Sequence, residues 1–234
     1  MKKILMSAAC VAAFGAAPAI AQDGGGSAWD ISGSFGVVSD YVFRGISQTG
    51  GDAAVQAGVT ISHDSGFYVG AWGSNVDFND GETDFELDLY LGYGGSLGES
   101  TTYDVSLTYY SYPNQPSGTD YDYFEFIAGI THDFGNGFSA GAKVAFSPEN
   151  FDNTGNAFWL GLNGTYAFSD WLAFSANVGY VGLDDTYYSE DSYFHYDFGA
   201  TVTYGILSLD VRYVGTDSDA IDDDKVVGSA IFNF

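Results

Sequence analysis

The side chains able to do chemistry fall on alternating positions of extended stretches instead of gathering in one segment. Asp40 and Arg44, Glu86 and Asp88, Asp104, Tyr110, Glu125, Lys143, Trp159, Asn163, Asn177, His195 and Asp197, and Asp210 and Arg212 each sit on the polar parity of their own stretch. A set of that kind lines a polar wall, where it orients ions and dipoles or neutralises itself in salt bridges. Two pairs have the spacing of catalytic groups. His63-Asp64-Ser65 holds a His-x-Ser pair, and His195-Tyr196-Asp197 offers an imidazole and a carboxylate on one face, with Asp184 and Asp185 in a neighbouring loop. Neither carries a full set of partners, so no catalytic residue is assigned. Acidic runs at Asp77 to Asp84, Asp184 to Asp191 and Asp217 to Asp224 have the ligand type for Ca²⁺ or Mg²⁺ but lack EF-hand spacing. They read as solvated charge, and no metal or cofactor is assigned.

Composition narrows the chemistry further. Cys10 is the only cysteine and lies in a segment expected to be removed, which excludes disulfides, thiolate nucleophiles and Cys-based zinc sites from the mature chain. Lys2 and Lys3 leave with the same segment, so four basic residues face 31 acidic ones, a formal charge of −27. Nucleic-acid binding needs the opposite sign. Disorder, the usual fate of so acidic a chain, is opposed by 19 Phe, 18 Tyr and 4 Trp.

The elements that must position these residues are strands. After Gly24 to Ser27 the chain runs as about twelve stretches of period-2 alternation, of the 9 to 11 residues or slightly more that a tilted strand needs to cross a bilayer. In one of them Phe85, Leu87, Leu89, Leu91 and Tyr93 alternate with Glu86, Asp88, Tyr90, Gly92 and Gly94. Phe67 to Val76 is also a strand, but apolar residues on both parities leave its outward face unassigned. Aromatic residues crowd strand ends at Tyr103, Tyr109, Phe138, Phe146, Tyr166, Phe168, Tyr180 and Tyr204, as in interfacial girdles. Short turns near Gly66, Glu99, Asn136, Asp170 and Gly205 alternate with long segments such as Gly45 to Asp52, Asp77 to Asp84 and Pro113 to Asp120. This predicts an all-β, antiparallel, up-and-down transmembrane β-barrel with periplasmic termini and long loops outside. A secreted β-sandwich would carry shorter strands.

The ends agree. Met1-Lys2-Lys3, an apolar run and Ala19-Ile20-Ala21 form a secretory signal, with cleavage expected before Gln22. The expected division is a signal peptide over 1–21, a short periplasmic lead over 22–28 and a barrel over 29–234. Phe232 and Phe234 end the chain on one face, resembling the C-terminal strand signal read by the barrel-assembly machinery. Ser39-Asp40-Tyr41-Val42-Phe43-Arg44-Gly45-Ile46-Ser47-Gln48-Thr49 and Gly66-Phe67-Tyr68-Val69-Gly70-Ala71-Trp72-Gly73-Ser74-Asn75-Val76 resemble the TorF family, a proteobacterial outer-membrane family labelled as porins. The resemblance implies a barrel with a transport role and brings no catalytic residues.

In a closed barrel, Arg44 on the first strand and Arg212 are expected to face Glu86, Asp88 and Asp104 across the lumen. Register about the turns sets Asp88 near Tyr110, Lys143 diagonal to Glu125 and Arg212 diagonal to Asp197. The expectation is a channel for ions or small solutes, cation-preferring, in contact with outer-membrane lipid and lipopolysaccharide. The alternative is a non-conducting barrel whose acidic loops bind a partner, divalent cations or a surface. Trp159, Tyr90 and Tyr110 are large enough to fill much of so narrow a lumen.

Overall fold

The computed structural model describes residues 27–184, 190–218 and 224–234; the signal segment with Cys10, and Asp185, Asp219, Asp222 and Asp223, lie outside them. Alternation becomes pleated strand throughout. The barrel strands are β1 (Trp29–Val38), β4 (Ala54–His63), β5 (Phe67–Asn75), β6 (Phe85–Ser96), β7 (Thr101–Ser111), β8 (Tyr123–Gly135), β9 (Phe138–Ser147), β10 (Ala157–Ser169), β11 (Leu172–Leu183), β12 (Ser192–Tyr204), β13 (Leu207–Thr216) and β14 (Lys225–Asn233). Two short strands, β2 (Val42–Phe43) and β3 (Ile46–Ser47), form a separate hairpin.

Each barrel strand pairs antiparallel with its neighbours in sequence, and β1 closes the ring on β14 with Phe35 opposite Phe232 and Val37 opposite Ala230. Closure leaves no strand edge unpaired, which a wall in hydrocarbon requires because lipid cannot satisfy backbone polar groups. The last residue joins the closure: the Phe234 and Gly33 backbones exchange hydrogen bonds of 3.0 and 2.7 Å.

The outward face is apolar and uncovered. Leu89, Leu91, Val105, Phe126, Ile130, Leu162, Phe174, Val178, Phe198, Leu209 and Val211 are all exposed, while their sequence neighbours turn inward. So much exposed Leu, Ile, Val and Phe on one continuous face is a lipid-facing belt. Among the described residues no helix is long and apolar enough to cross a membrane; the crossing elements are strands. β5 now has its assignment: Phe67 and Val69 face out, whereas Tyr68 and Ser74 are buried inside. Its inward face reads as apolar because Trp72 packs edge-on against Tyr41 inside the barrel, at 5.4 Å between ring centroids.

Connections alternate as the spacing predicts, with tight turns at one end of the barrel and long loops at the other. The first long connection, between β1 and β4, does not stay at the rim. It folds inward, carrying the β2–β3 hairpin into the lumen.

Candidate functional site within the barrel lumen

Arg44 and Gly45 form the two-residue tip of the inward hairpin, with Val42 opposite Ser47 and Phe43 opposite Ile46. Both tip residues have positive φ, 50° and 88°. That is the primed-turn geometry that matches strand twist, and Gly45 supplies the more open of the two conformations without strain. A Cβ on Gly45 would also meet Thr216 Cγ2 at 2.5 Å and His195 Cβ at 2.9 Å, so the tip is wedged against β12 and β13.

The hairpin spans the lumen. On one side Phe43 packs against a buried cluster of Val38, Tyr41, Ala54, Val76, Tyr110, Tyr112 and Tyr123; on the other Ile46 packs against Val181 and Tyr193. At the tip the Arg44 guanidinium donates two hydrogen bonds to the Glu125 carboxylate, at 2.7 and 2.8 Å, and lies over the rings of Phe43 and Trp159 at 4.6 and 4.8 Å. Bidentate geometry and ring contact both require the planar guanidinium. At the base Asp40 accepts from Ser47 Oγ at 2.6 Å and Thr49 Oγ1 at 3.0 Å and pairs with Lys225 Nζ at 2.8 Å.

The structure corrects the predicted transverse field. Arg44 lies on the hairpin instead of the first barrel strand and is paired with Glu125, while Asp40 lies just beyond β1. Arg212 does not reach across to Glu86, Asp88 and Asp104. It is almost wholly buried on its own wall, donating to Asp197, to Asp210 Oδ1 at 3.1 Å and to Ser175 Oγ at 3.1 Å, while Asp210 also accepts from Thr201. The diagonal Arg212–Asp197 pair is as the register implies, and Asp88 stands opposite Tyr110. Lys143 is not placed beside Glu125: Ser147 is the β9 residue in register with Glu125's neighbourhood, since Phe126 pairs with Phe146, and Lys143 lies opposite Gly129, which in turn lies opposite Asp104.

Neither catalytic spacing assembles further groups. His195 Nε2 accepts from Trp159 Nε1 at 2.8 Å, and Asp197 is taken by Arg212 and by Asn177 Nδ2 at 2.7 Å. Gly179 makes the Trp159–His195 bond possible, because a Cβ there would sit 2.6 Å from Trp159 Nε1 and closer still to His195 Nε2. His63 Nδ1 lies 2.9 Å from Ser65 Oγ at an exposed turn, where it also accepts the Ser65 backbone N–H. Asp184 is held by Asn156 Nδ2 at 2.5 Å.

The two halves of the lumen differ. Toward the long loops it is filled by the hairpin and by Tyr110, Tyr112 and Tyr123, with Glu86, Asp88 and Glu125 buried among them. The adjoining loops add Phe78, Tyr121 and Phe151, whose rings stack as close as 4.2 Å. Toward the tight turns Asp104, Lys143, Asn163 and Tyr90 remain half-exposed, and Tyr68 donates to Asp104 at 2.8 Å. In the β5–β6 loop Asp80 is satisfied locally, accepting from Thr83 Oγ1 at 2.6 Å and from the Glu82 and Thr83 backbone N–H groups. Burial works against ionisation of Asp80, but these bonds outweigh it and hold its carboxyl below the usual aspartate range. Among the described residues no group of three or more His, Cys, Asp or Glu side chains comes together to hold a metal.

A closed twelve-strand barrel with an apolar exterior and a polar, partly occluded interior defines the class: an integral membrane β-barrel of the outer-membrane channel architecture. Within that class the chain belongs to the family described as "Bacterial protein of unknown function (Gcw_chp)", whose profile matches residues 22–228. No curated protein matches the chain by sequence. By structure it is similar to a KdgM porin, with a TM-score of 0.61 and 7% identity over 87% of this chain and 98% of that one. The same porin in complex with disordered oligogalacturonate gives 0.59 and 7% over 87% and 97%. An outer-membrane channel from Pseudomonas putida F1 gives 0.51 and 9% over 87% and 94%. At these identities the likeness is one of fold.

Proposed function

We propose that this protein is a narrow outer-membrane channel for passive diffusion of ions or small solutes, preferring cations, with its long-loop mouth constricted by the β2–β3 hairpin. The observation that carries the reading is a closed barrel whose inner wall is polar and acid-rich, with basic side chains held in ion pairs: Arg44 with Glu125, Arg212 with Asp197 and Asp210, and Lys225 with Asp40. At the half-exposed end Asp104 and Lys143 both stand opposite Gly129, so the cation preference rests on the acid excess of the whole lumen. Charge separates this lumen from that of a carrier of polyanions. The KdgM porin is known in complex with disordered oligogalacturonate, whereas an acid-rich lumen and acidic loops would repel a polyanion. Function rests on lumen shape and charge, and no reactive side chain is required.

The topology belongs to the same proposal. The signal peptide over 1–21 directs export, Phe232 and Phe234 present the strand signal to the barrel-assembly machinery, and both termini and tight turns lie on the periplasmic side. The acidic loops then face lipopolysaccharide, and the Ser39–Thr49 and Gly66–Val76 motifs support membership of the TorF family. The occlusion of the long-loop half supports a second reading, a non-conducting barrel whose loops bind a partner or surface. Planar-bilayer recordings separate the two. A steady current proportional to salt, with a reversal potential of cation sign in a KCl gradient, is expected; the absence of current above background overturns the channel.

A further inference from the structure

Beneath the hairpin, two carboxylates on β6 stand without the partners that buried charge requires. Glu86 and Asp88 are 2% and 0% exposed. Spaced i and i+2, they project to the same inward face. Glu86 Oε1 accepts from the Tyr112 hydroxyl at 3.0 Å, but Glu86 Oε2 and both Asp88 oxygens have no hydrogen-bond partner. Asp88 lies in register between Trp72 on β5 and Tyr110 on β7, and the rings of Tyr41, Tyr112 and Tyr123 complete the enclosure. The nearest basic groups of the hairpin and its base are engaged elsewhere, Arg44 with Glu125 and Lys225 with Asp40. Ionised carboxylates in a dry interior are strongly disfavoured unless a counter-charge joins them, and each buried polar atom left unpaired calls for a specific cause.

We propose that Glu86 and Asp88 bind one small hard cation of the calcium class, seated between the β6 wall and the Tyr41 end of the inward segment. Three unpartnered carboxylate oxygens stand on one strand face, and oxygen is the donor such ions take, with tyrosine hydroxyls and water to complete the shell. No imidazole or thiolate joins them, which disfavours the softer transition metals. A divalent ion matches the formal charge of the pair. The site differs from the loop carboxylate Asp80, which backbone N–H groups already satisfy. The proposal is independent of conduction.

Terbium, a calcium-class probe excited through nearby tyrosine, reads the site directly in chelator-stripped full-length protein folded in detergent. The expected result is one calcium-competable equivalent of tyrosine-sensitised emission in the wild type, retained in Asp80→Asn and lost in Glu86→Gln/Asp88→Asn. Calcium should also raise the unfolding temperature of the wild type and leave that of the double variant unchanged. Asp88→Asn alone serves if the double variant fails the electrophoretic test for a folded barrel. Equal emission from wild type and the Glu86/Asp88 variants overturns the site. So does a variant more stable than wild type together with no calcium response in either, which would mean that the pair simply holds a proton.

Discussion

Arg44 is where the inward segment is most exposed to a single substitution. Its guanidinium serves Glu125 with two bonds and stacks against Phe43 and Trp159. Arg44→Ala leaves the Glu125 carboxylate buried with only the Tyr110 hydroxyl, and breaking a buried pair from one side costs about 3–5 kcal/mol. Denaturant unfolding of the folded barrel should show a loss of that order, with most of it recovered in Arg44→Ala/Glu125→Gln. Equal losses in the two variants would contradict the pairing. Asp80 makes a separate prediction in pH. Its folded carboxyl is held below the ordinary aspartate value of 3.8, so its contribution to loop order is fully present above that value and lost as pH falls through the lower folded one. Hydrogen exchange at the Glu82 and Thr83 amides should stay protected at pH 4 in the wild type and be fast there in Asp80→Asn.

At the scale of elements, the strands are legible because bilayer and lumen impose opposite chemistry on alternate residues. Leu91 stands near the middle of β6 on the lipid face, and Leu91→Arg should destabilise the barrel by about 2–4 kcal/mol in lipid vesicles. An effect no greater than that of a rim substitution would mean that this face does not meet lipid. Two of the three register-local pairs are readable for the same reason, since tight turns set which residues stand opposite: Asp88 with Tyr110, and Arg212 diagonal to Asp197; Lys143 stands opposite Gly129 and so misses Glu125. The β2–β3 hairpin is not readable in this way. Asp40, Tyr41, Phe43 and Arg44 continue the parity of β1, so Arg44 reads as a wall residue, and Arg is not among the residues that favour the first position of a primed turn. Only the Arg44-Gly45 dipeptide between apolar Phe43 and Ile46 hints at a turn. The conformation is sustained by contacts 81 and 185 residues away in sequence, at Glu125 and Lys225, which no local pattern encodes. β5 was ambiguous for a related reason, because Trp72 packs against that same inward segment.

At the scale of the molecule, a closed ring of twelve strands carries a negatively charged interior that is filled toward its long loops and half-open toward its tight turns. Under the proposed function the hairpin is therefore the element that sets how much can pass. It can be shortened with its ends still joined, provided Glu125→Gln removes the carboxylate that Arg44 would leave unpaired: the Gln48 backbone N–H donates to the Tyr41 carbonyl at 2.6 Å, so the ends of the hairpin already lie side by side. Replacing Val42–Ser47 by Gly-Gly together with Glu125→Gln retains that closure and the Lys225 anchor while removing Phe43, Arg44 and Ile46 from the lumen. Single-channel conductance of this variant beside the wild type, in the same bilayers and salt, tests the account most directly. It predicts a small, steady, cation-selective current in the wild type and a several-fold larger one in the shortened variant. Indistinguishable conductance in the two would contradict a lumen governed by the inward hairpin.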